Sequence, residues 1–111
     1  MNDLEQIEQL KKFVKKSFND ADKSHKCILN ASIPSALAYL NKGLSELSTA
    51  ESFYYCNYEN LMRNEFEDYV HQFNEFANEM IECVDTDHSH QWTDIEFERL
   101  SDLMRFSPFS D

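Results

Sequence analysis

The chain has 111 residues, 41% hydrophobic and 14% aromatic, which is enough apolar material for one well-filled core. A single glycine (Gly43) and two prolines (Pro34, Pro108) exclude hairpin-rich β folds, whose tight turns consume glycine. Ten basic against twenty-one acidic residues give a formal net charge of −11, which argues against direct binding to nucleic acid or to anionic lipid.

The first segment, "MNDLEQIEQLKKFVKK", is charged from its third residue and has no apolar stretch of the signal-peptide kind. Asp3 sits where a helix N-cap belongs. Leu4, Ile7, Leu10, Val14 and Phe18 then recur at helical spacing, and Ala21 and Ile28 continue the stripe. The spacing predicts one long helix to about Asn30, in preference to a break near Asn19. A second helix is predicted from "SIPSALAYL", with Ser32 as cap and Pro34 in the first turn. Its stripe is Ile33, Leu37, Leu40, Leu44 and Leu47. "STAE" at 48–51 is a capping box that either starts a new helix or lies inside a continuing one.

Phe66, Val70, Phe73, Ala77, Met80 and Val84 mark a long third apolar face, with Asp68, Glu75, Glu79 and Glu82 about opposite it. The last helix is predicted to start at a second capping box, Thr93 with Glu96, stapled by Trp92 and Phe97. Leu100 and Met104 continue its buried face, and Ser107-Pro108 ends it. The expectation is a single all-α domain over 1–111, three to four helices packed as a small antiparallel bundle.

Cys27, Cys56 and Cys83 are odd in number and lack a Cys-x-x-Cys pair, which fits buried reduced thiols rather than a disulfide framework or a zinc ribbon. No apolar run approaches the ~20 residues of a membrane span. A cytoplasmic location is expected.

"DTDHSHQWTDIE" at 85–96 is the sharpest chemical feature. It resembles the calcium loop of the EF-hand family, in which oxygen ligands occupy the first, third, fifth, seventh, ninth and twelfth positions. Those places hold Asp85, Asp87, Ser89, Gln91, Thr93 and Glu96, so the resemblance implies a cation site on Asp85, Asp87, Ser89 and Glu96. His90 stands where the family has its turn glycine, and Trp92 where it has a branched aliphatic residue. Zinc is the other cation weighed, through His88 and His90 with Cys83 or Asp85, or with His25 and Cys27 brought in by the fold. The competing reading is a polar connection whose Thr93 and Glu96 are helix caps.

No phosphate loop, nucleophile elbow or H-E-x-x-H is present, and no enzymatic activity is expected. The charge is uneven. Residues 1–50 hold seven lysines against six acids, a net of +1, whereas residues 51–111 hold three arginines against fifteen acids, a net of −12. "SFYYCNYENL" at 52–61 adds Phe53, Tyr54, Tyr55 and Tyr58, more aromatics than one helix stripe can bury. Tyrosine combines contact area, a hydroxyl and few rotors, which suits protein recognition. The leading expectation is a non-catalytic binding protein of the inhibitor, immunity or anti-defence kind. Its acidic surface, with Tyr55, Tyr58, Asp68, Glu75, Glu79 and Glu82, would face a basic protein such as a nuclease or another nucleic-acid-binding protein. The alternative is a metal-binding helical protein built around residues 85–96.

Overall fold

The polar string "NDADKSHK" does not interrupt the first helix. The computed structural model describes residues 3–57, 62–86 and 90–110, and there the chain forms α1 (Asp3–Leu29), α2 (Ile33–Asn57), α3 (Arg63–Thr86) and α4 (Gln91–Arg105), closed by a 3-10 turn at Pro108–Ser110. The protein is all-α, as the periodicity and the scarcity of glycine predict. The "STAE" box lies inside α2.

α1 stays helical because its buried line is Leu10, Val14, Ser17, Ala21, Ser24 and Ile28, alternately four and three residues apart. α2 answers with Ala36, Leu40, Gly43, Leu47, Ala50 and Tyr54 at the same alternation. This is the seam of an antiparallel coiled-coil pair, and its middle is made of small residues. The backbones therefore approach closely: a Cβ added to Gly43 would lie 3.3 Å from the Ser17 carbonyl oxygen and 3.4 Å from Asp20 Cβ. The only glycine of the chain thus stands mid-helix, where it costs about 1 kcal/mol relative to alanine, at a position crowded by the facing helix. The buried Ser24 hydroxyl bonds across the seam to the Ala36 carbonyl at 2.6 Å.

The predicted stripe on α2 is thereby corrected. Leu40 and Leu47 are core, but Ile33 and Leu44 flank it and Leu37 is half-buried. Of the remaining seam positions Ala36, Gly43 and Ala50 are small, and Tyr54 belongs to a layer of large rings. In α1, Phe18 likewise sits on the shoulder, stacked on Phe97 at 5.9 Å, and Leu4 is exposed.

α1 turns into α2 through three residues. The Ser32 amide bonds to the Cys27 carbonyl at 2.8 Å and the Ala31 amide to that of Ile28 at 3.1 Å. This pair of bonds is the Schellman arrangement. Ala31 takes the left-handed conformation (φ 57°) that glycine usually fills. Ser32 precedes α2 as predicted, and its carbonyl accepts from the Ala36 amide.

α3 and α4 form a second antiparallel hairpin, seen in the bonds from Gln72 to Glu96 and from Thr93 to Glu79. The two hairpins meet through large rings. Tyr54 stacks on Phe66 (4.4 Å, 22°), Phe66 meets Phe109 edge-on, and Phe73 and Phe76 continue the layer. Every one of these side chains is fully buried. Tyr69 is buried with them, and its hydroxyl shares a 2.6 Å hydrogen bond with Ser17 of α1. Burial pushes the Tyr69 phenol well above its usual range, opposed in part by the Ser17 bond, so it stays protonated.

The expectation of buried thiols holds for Cys83 alone. Cys27 is half-buried and Cys56 is exposed, and none of the three is in a disulfide.

Candidate functional site

The long axis of the molecule, 46 Å against 22 and 20 Å, runs along the helices and gives α3 an extended outer face. Asp68, Glu75 and Glu82 are exposed on it, and Glu79 is half-buried beside α4, where its own carbonyl accepts the Thr93 hydroxyl at 3.3 Å. From Asp68 to Glu82 the row spans about 21 Å at 1.5 Å per residue. The row lies opposite the buried side of Phe66, Tyr69, Phe73, Phe76, Met80 and Cys83, so the packing that buries one face holds the other rigid.

The cations of this half of the molecule are engaged locally. Arg63 reaches Glu67 at 2.9 Å, Arg99 reaches Glu96 at 2.6 Å, and Arg105 stands 3.8 Å from Asp102. Such exposed pairs contribute little to stability, but they decide which carboxylates carry uncompensated charge. Among the described residues Asp68, Glu79 and Glu82 have no ion-pair partner, and Glu75 has only His71 at 3.8 Å. The seven lysines all lie on α1 and α2.

The tyrosines divide as their number requires. Tyr54 is core, Phe53 packs edge-on against Phe13 at 5.5 Å, and Tyr55 is exposed with its ring 6.4 Å from Phe66. Tyr58 lies outside the described residues.

At the connection between α3 and α4 the predicted capping is corrected. α4 begins at Gln91, two residues before Thr93, with His90 in the cap position. Thr93 is fully buried inside the helix, with its hydroxyl directed at α3 rather than at its own first turn. Trp92 is 60% exposed and lies inside α4, past the position before the cap that a staple requires. Asp85 is exposed near the end of α3, and Glu96 sits in the second turn of α4. One Glu96 oxygen accepts from Gln72 at 2.8 Å and the other from Arg99. Asp87, Ser89 and His88 lie outside the described residues. Among the described residues no group of three or more His, Cys, Asp and Glu side chains is placed to hold a metal ion.

The fold brings together a constellation that no sequence motif marks. His25 Nε2 on α1 donates to one oxygen of Asp94 and His90 Nδ1 donates to the other, both at 2.7 Å. The His25 ring stacks on Phe97 at 4.4 Å and meets Phe76 edge-on. Burial alone would raise the Asp94 carboxyl, but hydrogen bonds from the two histidines, together with their charge, outweigh it and hold the group below the usual carboxylate range. Both carboxylate oxygens are occupied, so the arrangement acts as a clamp tying the start of α4 to α1. His25 and Asp94 lie sixty-nine positions apart, and no local spacing links them.

Comparison with protein-family models, with curated proteins and with solved structures finds no match to this chain. No described helix is long and apolar enough to cross a membrane.

Proposed function

We propose that the protein is a non-catalytic binding module of the inhibitor or immunity kind, which uses the outer face of α3 to engage a basic, nucleic-acid-binding protein. The observation that carries this reading is the segregation of uncompensated charge. Asp68, Glu79 and Glu82 project from one rigid helix without a cationic partner among the described residues, while the arginines of that half are tied to other acids. A row of carboxylates on a packed helix offers a positive groove a charged surface that needs no ordering on contact. Such a surface accelerates encounter and discriminates against acidic partners. Exposed Tyr55 adds aromatic contact area.

The test is competition. A panel of purified nucleases and nucleic-acid-binding proteins would be titrated with the chain in the presence of labelled duplex DNA. The expected outcome is displacement of DNA from at least one of them, weakening steeply with salt. Combining Asp68→Asn, Glu75→Gln, Glu79→Gln and Glu82→Gln should abolish it. Displacement that survives the quadruple variant, or none at low salt across the panel, removes the proposal.

A further inference from the structure

Residues 105–110 read "RFSPFS", two phenylalanines three residues apart, and the structure treats them oppositely. α4 ends at Arg105, the backbone leaves the helix at Phe106, and the turn at Pro108–Ser110 swings Phe109 into the core against Phe66 and Tyr69. Phe106 stays outside at 81% exposure, the highest among the described large apolar side chains. It does not stand on a flat surface. With Leu103 it forms the apolar part of a 370 Å³ groove between the last turns of α4 and the first turns of α3, and Glu65, Asp68 and Asp102 supply its carboxylates. Glu65 and Asp68 have no ion-pair partner among the described residues.

The chain itself shows what chemistry suits this groove. The Arg105 guanidinium lies 5.9 Å from the centre of the Phe106 ring and 3.8 Å from Asp102, a cation held between an aromatic face and a carboxylate. A bare basic loop would leave the apolar part wet, and a purely apolar segment would desolvate Glu65 and Asp68 without compensation. A segment with apolar side chains on one side and lysine or arginine on its flanks satisfies both. The walls are two antiparallel helices, a geometry that receives a third helix.

We propose that this groove docks a basic amphipathic helix of the partner protein, its apolar side chains against Leu103 and Phe106 and its cations facing Glu65, Asp68 and Asp102. The inference rests on the reading of the protein as a binder of basic partners, and it names the structural element of the partner that is held.

The test uses the full chain and a fluorescent synthetic helix of about eighteen residues, long enough at 1.5 Å per residue to span the groove, with leucine and lysine at amphipathic spacing. A scrambled peptide of the same composition keeps the charge and loses the apolar face. The amphipathic peptide should bind by anisotropy at least tenfold more tightly than the scrambled one. Phe106→Ala should weaken it by about tenfold, the effect of truncating an aromatic anchor, with an unchanged circular dichroism spectrum since the side chain is exposed. Asp68→Asn should weaken it by a smaller, salt-dependent factor. Equal binding of both peptides, insensitive to Phe106→Ala but lost in the quadruple variant of α3, would overturn the groove and leave the acidic-face reading standing. Failure of both peptides to bind at low salt would remove both. Equally tight binding of a leucine–glutamate helix would overturn the basic occupant. Self-association abolished by Phe106→Ala would assign the groove to a second copy of this chain instead.

Discussion

The seam between α1 and α2 and the layer between the two hairpins are both fully buried, yet they are built on opposite rules. Along the seam Ser17, Ala21 and Ser24 face Ala36 and Gly43, and stability comes from backbones close enough to touch. In the layer Tyr54, Phe66, Tyr69, Phe73 and Phe76 hold the helices apart and fill the gap with rings. The two meet at one point, where a Cβ on Gly43 would lie 3.1 Å from Phe73 Cζ. The ring tip occupies the room that a side chain at 43 would need. One region is therefore sensitive to added atoms and the other to lost ones.

Volume changes of opposite sign should break the two regions. Phe73→Ala is expected to cost about 4 kcal/mol through lost burial and a residual cavity, read as a fall in the urea midpoint. Gly43→Leu should cost about 3 kcal/mol by overpacking. Gly43→Ala should cost only about 1 kcal/mol, since the helix-propensity gain of alanine offsets much of the crowding. In a Phe73→Leu background, where the ring tip is gone, Gly43→Ala should become neutral or stabilising. A double-mutant cycle that is additive would refute the shared point of contact.

Smaller effects sharpen the picture. Tyr69→Phe removes the phenol's contacts with Ser17 and with the Val14 carbonyl at 3.2 Å but leaves Ser17 bonded to that carbonyl, so a loss of about 1 kcal/mol is expected. Ala31→Gly should stabilise by about 0.5–1 kcal/mol, because glycine takes the left-handed cap position without a Cβ penalty; a lowered melting temperature would contradict the Schellman geometry. The smallest effect concerns pH. Asp94 is held below its ordinary value, so its contribution is present above the unfolded carboxylate pKa of ~3.9 and fades as the pH falls through and below it. The stability difference between the parent and Asp94→Asn should therefore shrink as the pH falls through the carboxylate range. A difference that grows in acid would mean that the clamp does not hold the carboxylate ionised.

Helix content, the long α1, the start of α2 and the acidic row on α3 were all legible in the sequence, because each depends on the spacing of residue types along one element. Scarce glycine and a 3.6-residue period suffice for that. The α2 stripe was misplaced because reading by hydrophobicity weights leucine over alanine and glycine, whereas a close backbone approach selects the small residues. Thr93 and Trp92 misled in the same way: their spacing satisfied a capping pattern, but burial of Thr93 against α3 moved the helix start two residues earlier.

Local pattern decided which segments are helical and which faces are charged, since those properties need only near neighbours. Tertiary structure alone decided that Gly43 sits against Ser17, that His25 and His90 meet on Asp94, and that Phe109 is core while Phe106 borders a groove. Each of those outcomes sets one backbone against another far away in the chain, and no periodicity along a single segment encodes the distance between two.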